Sequence, residues 1–185
     1  MNPLLIPVPE EIETARLLLR SPRVGEGPVL NEAVCASLPQ LQPWMPWAQK
    51  APTLDESEEV TRDFLARFIK REELSYRMWL RGTTMFAGTL SLHRIDWNVP
   101  KFEIGYWLST RCASHGYMTE AVNALSEMAF ETLSARRVEI RCDARNVRSS
   151  NVAKRCGFKL EGTLRKFALD CNGEPCDAQI WARVK

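Results

Sequence analysis

Apolar positions along the chain change their period several times. Residues 15–21, ARLLLRS, set a leucine run between two arginines and predict a strand. GEGPVLNEAVCASL, after a Gly/Pro turn, predicts a short helix. PQLQPWMPWAQKAP is punctuated by prolines and predicts a loop carrying Trp44 and Trp47. Thr53, with Glu56 three residues on, fits a capping box. The helix it opens, LDESEEVTRDFLARFIKREE, spaces Val60, Phe64, Leu65, Phe68 and Ile69 helically, with acids early and bases late.

Beyond that helix the period shortens. SYRMWLRG and MFAGTLSLHRID predict two strands joined at Gly82, and KFEIGYWLS a third after Pro100. HGYMTEAVNALSEMAFETL predicts a helix with Tyr117, Ala121, Ala124, Leu125, Met128 and Leu133 near one face. RRVEIRCDA alternates Val138, Ile140 and Cys142 as a strand, and VRSSNVAKRCG is a short helix closed by Gly157. FKLEGTLRKFALD and DAQIWARV are terminal strands around a Cys171–Cys176 turn. No repeat, linker or low-complexity segment divides residues 1–185, so a single α/β domain is expected, its strands first antiparallel and later interleaved with helices. The strand–helix–strand unit over residues 101–144 predicts a right-handed crossover.

Composition narrows the function. The formal net charge is only +2, yet residues 133–166 hold 10 Lys/Arg against 3 Asp/Glu. A basic segment in a near-neutral protein suits a small phosphorylated ligand better than a nucleic-acid duplex; a solvated helix face with no partner is the alternative. The six cysteines form no CxxC pair, and His93 and His115 are the only imidazoles, so no structural zinc site is expected. The thiols read as free in a reducing cytoplasm. The N-terminal MNPLLIPVPEEIE has no basic region ahead of its apolar run and is not read as a signal peptide, and no stretch has the length of a membrane span.

One stretch departs from ordinary packing sequence. RCASHGYMTEA, from Arg111 to Ala121, puts a glycine where a helix begins and Thr119 three residues later. The first turn of a helix has unpaired N–H groups and partial positive charge, so it suits a phosphate; glycine admits close backbone approach. The stretch has neither G-x-G-x-x-G nor G-K-[ST], which argues against a Rossmann site and a P-loop. Easing of helix–strand packing is the other role such a glycine could fill.

FEIGYWLS, HGYMTEAV and NVRSSNVAKRCGFKLEG, in that order, resemble the GCN5-related N-acetyltransferase (GNAT) superfamily, and more narrowly its RimJ/RimL-like ribosomal-protein branch. ETARLLLR and PWMPWA fit that branch, and the resemblance spans about residues 12–183. It implies a mixed, mostly antiparallel sheet of about seven strands with about four helices, whose fourth and fifth strands splay to admit the pantetheine arm of acetyl-CoA. Carried over, Tyr106, Trp107, Leu108 and Ser109 would meet the pantetheine and acetyl carbonyl. Ser114, His115, Gly116, Tyr117, Met118 and Thr119 would meet the pyrophosphate. Ala113 stands where the family has Gln or Arg, which puts cofactor affinity in question; Arg111 and His115 are the candidate substitutes. Asn146 and Ser149 would meet the pantetheine and thiol end, and Lys154 and Arg155 the adenosine phosphates.

Acetyl transfer needs a deprotonated amine, donors for the carbonyl oxyanion and a proton for the departing thiolate. An α-amine with a pKa near 8 is about 10% neutral at pH 7, whereas a lysine costs about 4–5 kcal/mol to neutralise, so a modest carboxylate serves the former. Glu103 is the candidate base; an exposed strand residue paired with an arginine is the alternative. Ser149 is the candidate acid, or a participant in helix capping near Asn146. Trp44, Trp47 and Trp97 are candidate walls of the acceptor pocket. Cys112 and His115 do not by their spacing make a nucleophile pair, and direct transfer needs none. Two acceptors stay open, a protein N-terminus and a small amine such as an amino acid, polyamine or antibiotic. A non-catalytic acyl-CoA-binding module is the alternative of another class. A homodimer is one expected assembly, and no nucleic-acid, membrane or metal partner is expected.

Overall fold

The computed structural model describes residues 2–185. Eight strands join one sheet in the order β1-β2-β3-β4-β5-β6-β8-β7. They are β1 (Glu11–Glu13), β2 (Leu17–Arg20), β3 (Leu74–Leu80), β4 (Phe86–Asp96), β5 (Lys101–Leu108), β6 (Arg137–Asp143), β7 (Lys159–Leu169) and β8 (Pro175–Val184). Four helices accompany them: α1 (Gly27–Leu41), α2 (Leu54–Lys70), α3 (Tyr117–Glu131) and α4 (Val147–Arg155). Neighbouring strands are antiparallel except β5 and β6, which α3 connects in parallel.

Period-two alternation gives the sheet two unlike faces. Leu74, Tyr76, Met78, Leu90, Leu92, Phe102, Ile104, Val138 and Ile140 point to one side. They form the main core with Ala121, Val122, Leu125 and Ala129 of α3. The opposite face is polar although it is buried. Arg77 pairs across to Thr89 and Thr89 to Trp107, Ser75 to Ser91 and Ser91 to Gly105, and His93 to Glu103. Helices α1 and α2 cover this face. Leu30, Val34 and Leu41 pack with Phe86 and Trp107 in a smaller apolar cluster, while Thr61 of α2 reaches Arg77.

That polar face explains the main departure from the expected pattern. Of the predicted α2 stripe only Phe68 is buried; Val60 and Ile69 are 43% and 62% exposed. The inward residues of α2 include Ser57 and Thr61, because what lies beneath the helix is polar. The capping box forms as read: Glu56 N–H donates to Thr53 Oγ1 at 3.1 Å and Thr53 N–H to Glu56 Oε2 at 2.7 Å. Helix α1 continues past Pro39 to Leu41, where a loop was expected. The eighth strand, β1, is three residues long and too short to show a period.

Candidate active site

Strands β5 and β6 pair over three residues only: Lys101 with Arg137, Phe102 with Val138 and Glu103 with Glu139. Strand β5 then runs on to Leu108, while β6 pairs with β8 on its other side. The strands therefore open like a V, and a cleft of about 1470 Å³ occupies the gap and continues over the polar face. Ile104, Gly105, Tyr106, Trp107 and Leu108 form one wall; Ile140, Arg141, Cys142 and Asp143 face them.

The beginning of α3 lies at one end of the cleft. Gly116 has φ 78°, the left-handed region that glycine adopts most cheaply. The first backbone bond into the helix is Glu120 N–H to the Gly116 carbonyl at 3.1 Å. The N–H groups of Tyr117, Met118 and Thr119 thus have no preceding turn to pair with, and they bring the positive end of the helix dipole. Arg16 fixes this end: its Nε donates to Glu120 Oε2 at 2.7 Å, its Nη1 to the His115 carbonyl at 2.9 Å, and its guanidinium lies over the Tyr117 ring. Beside it Arg155 Nε donates to Thr119 Oγ1 at 3.2 Å.

Midway along, two hydroxyls meet. Tyr106 Oη and Ser149 Oγ are 2.9 Å apart. Asn146 caps α4 by accepting from Ser149 N–H at 3.1 Å, so the Ser149 hydroxyl is not occupied as the cap. Burial pushes the Tyr106 phenol well above its ordinary pKa, so both hydroxyls carry their protons at neutral pH and can donate.

On the polar-face side stands Glu103, 7% exposed. Its Oε2 accepts from Arg94 Nη1 at 3.3 Å and lies 3.0 Å from Arg141 Nε; His93 Nε2 is 3.8 Å from Oε1. Burial raises the Glu103 carboxyl above the usual range, against the pull of Arg94 and Arg141. Burial also lowers the His93 imidazole, with Glu73 opposing and the two arginines adding to the fall. A neutral imidazole beside a carboxylate that has been made a better base is an arrangement able to accept a proton. Glu139 differs. Burial acts to raise it too, but Arg137 and Arg141 outweigh burial and hold it low.

The cleft gathers most of the sequence-selected residues: Glu103, Tyr106, Trp107, Leu108, Ser114, Gly116, Tyr117, Met118, Thr119, Asn146, Ser149, Arg155, Trp44 and Trp47 line it. Others lie elsewhere. Trp97 packs edge-on against Phe102 and donates to the Arg71 carbonyl at 3.1 Å, outside the cleft lining. Arg111 pairs with Glu32 on α1 at 2.7 Å. His115 stacks on Tyr117 outside the lining. Ser109 is buried with its N–H on the Ala87 carbonyl, and Lys154 is exposed outside the lining. Sequence reasoning missed His93, Arg77, Arg141, Arg148 and Asn151, which also line the cleft. For His93 and Arg77 the signal was present: TLSLHR and SYRMW alternate apolar and polar as half-buried strands do, and the polar half had to face something.

A family model described as "Acetyltransferase (GNAT) domain" matches residues 16–159. The ribosomal-protein-serine acetyltransferase of Escherichia coli (strain K12) is 29% identical over 157 residues, 84% of this chain and 85% of that protein. The L-amino acid N-acetyltransferase AaaT of the same organism is 34% identical over 83 residues, 45% of this chain and 51% of that protein. The solved structure of RimL, a ribosomal L7/L12 alpha-N-protein acetyltransferase in complex with coenzyme A, superposes with a TM-score of 0.88 at 26% identity, covering 95% of this chain and 98% of that one. The cleft between splayed strands, ending on a helix start, thus lies in a chain that matches acetyltransferases over most of its length: this protein belongs to the GNAT acetyltransferase family and is an N-acetyltransferase.

Proposed function

We propose that the protein transfers the acetyl group of acetyl-CoA directly to the N-terminal α-amine of a protein, with a ribosomal protein as the natural candidate from its kinship. The observation that carries this reading is the split cleft: unpaired helix N–H groups and the Tyr106–Ser149 hydroxyl pair on one side of β5, a buried carboxylate on the other. The N–H groups of Tyr117 to Thr119 hold the diphosphate, and Arg155 and Arg148 supply the positive charge that Ala113 does not. Glu103, directly or through a water, takes the proton from the amine, with the His93 imidazole alongside. The backbone N–H of Leu108 donates to the carbonyl oxygen as negative charge develops there. The Tyr106–Ser149 hydroxyl pair gives a proton to the departing sulfur. Acetyl-CoA supplies the acyl group, and no covalent enzyme intermediate is required. This reading carries with it a cytoplasmic setting and residues 1–185 working as one catalytic domain.

A small amine is the second reading, favoured by the similarity to an L-amino acid N-acetyltransferase. The deciding experiment is a thiol-release screen of acetyl-CoA against peptides with free N-termini and a set of amino acids, polyamines and aminoglycosides. Peptide-dependent release with mass spectrometry locating the acetyl group on the α-amine is the expected result. Release only with small amines supports the second reading. Acetyl-CoA binding with no release against any amine refutes catalysis.

A further inference from the structure

The polar face holds one charge that acetyl transfer leaves unused. Arg77 is 2% exposed, and among the described residues no carboxylate is within salt-bridge distance of it. Its Nη1 donates to Thr89 Oγ1 at 3.0 Å and its Nη2 to Thr61 Oγ1 at 3.3 Å; its Nε is buried with no partner. Ser75 Oγ, two residues away on the same strand face, is also buried with no partner. Burial lowers the guanidinium to about 10, so it remains charged at neutral pH. Glu26 is the carboxylate that acts on it through space. That carboxylate is already bound to Arg20, which is itself the cross-strand neighbour of Arg77. Two arginines thus share one acid.

A buried ion without a counter-charge is costly, and an anion that reached it would offset that cost. Arg77, Ser75, Thr89 and Ser91 all line the active-site cleft. Acids line it as well: Glu56, Asp63 and Glu73 are each held by a base, Lys50 or Arg67, Glu103 and Asp143 are held by Arg141 and Arg145, and Glu59 is exposed on α2. Thr89 pairs with Arg77 on one side and Trp107 on the other. The arginine backbone is therefore two strand spacings, roughly 10 Å, from the β5 edge.

We propose that Arg77, with the Ser75 and Thr89 hydroxyls, receives a carboxylate of the acceptor, so that the enzyme selects amines carried on an anionic molecule. This rests on the acetyl-transfer reading and names its substrate class. Each Nη has a second N–H beyond the one given to threonine and Nε has one with no partner, so donors for a charge-assisted pair with a carboxylate remain. The carboxylate comes either from an acidic side chain near a peptide N-terminus or from the α-carboxylate of a free amino acid.

Calorimetric titration of the CoA-loaded protein with product mimics tests this without turnover. One pair is N-acetyl-Ser-Glu-Ala-amide against its Gln analogue; the other is N-acetyl-L-serine against N-acetyl-L-serinamide. In at least one pair the carboxylate should bind about tenfold tighter than the amide, and the pair that discriminates identifies the source. Arg77→Met should abolish the preference while leaving CoA affinity unchanged. Should that variant not fold, Arg77→Gln gives the same reading. Equal binding of the members of both pairs by the wild type, absent binding included, overturns the proposal, as does a preference that survives in a folded Arg77 variant. Failure of acetyl transfer itself would show separately, as a protein that releases no thiol with any amine.

Discussion

At the scale of single residues the site turns on opposing effects at Glu103. Burial raises its carboxyl and two guanidinium groups pull it down; burial is the larger effect. A base must be deprotonated to work, so kcat/KM should rise with pH through a limb above the usual carboxylate range. Glu103→Gln should remove that limb and lower kcat by about a hundredfold, with the KM for acetyl-CoA nearly unchanged. Arg141→Met removes one of the stabilising cations and frees Glu139 from a partner. Both changes disfavour the charged carboxylate, so the limb should move to higher pH. A limb that stays in place or moves down in the pH–rate profile of Arg141→Met would show that another group takes the proton.

Elements differ in how much of their design was local enough to read. The capping box of α2 involves four consecutive residues, and it formed as the spacing required. Thr53→Ala should cost about 1 kcal/mol and lower Tm by about 2–4 °C in a chain of this length, measured by thermal melting with activity unchanged. Two glycines make a matched test of the α3 start. Gly116 and Gly157 have φ 78° and 75°; a Cβ at Gly157 would meet open space and one at Gly116 only Arg16 Nη2 at 3.6 Å, an ordinary contact, so the penalty is backbone strain. Gly116→Ala and Gly157→Ala should each lose about 1 kcal/mol of stability. Only Gly116→Ala should weaken CoA binding, by about fivefold if the strain displaces the helix start. Long-range features were less legible. Nothing in α2 announced that Ser57 and Thr61 would face inward, because that follows from the sheet beneath the helix. Trp97 resembles Trp44 and Trp47 in sequence, yet only the fold separates the one against Phe102 from the two that line the cleft. His93 and Arg77 were half legible: strand alternation says that a side chain points away from the core, not what waits there.

At the scale of the whole molecule the sheet is two antiparallel blocks, β1 to β5 and β6 to β8, joined by three parallel residue pairs. The motifs in β5 and α4 implied an opening between them, but its extent depends on where the pairing stops, which is a tertiary fact. With so short a seam, backbone groups of β5 beyond Glu103 that face the gap have no strand to bond. A bound pantetheine arm would take the place of that strand, and the diphosphate would cover the N–H groups at the start of α3. Hydrogen exchange followed by mass spectrometry should therefore show CoA-dependent protection concentrated in residues 104–108 and 116–119. Strands β2 and β3, already paired on both sides, should change little. Coenzyme fragments divide the effect: 3′-phospho-ADP, which carries the diphosphate, should protect the helix start alone, and pantetheine the strand alone. Uniform protection across the sheet would instead mean that CoA tightens both blocks together, and the cleft would then be a product of binding rather than a preformed gap.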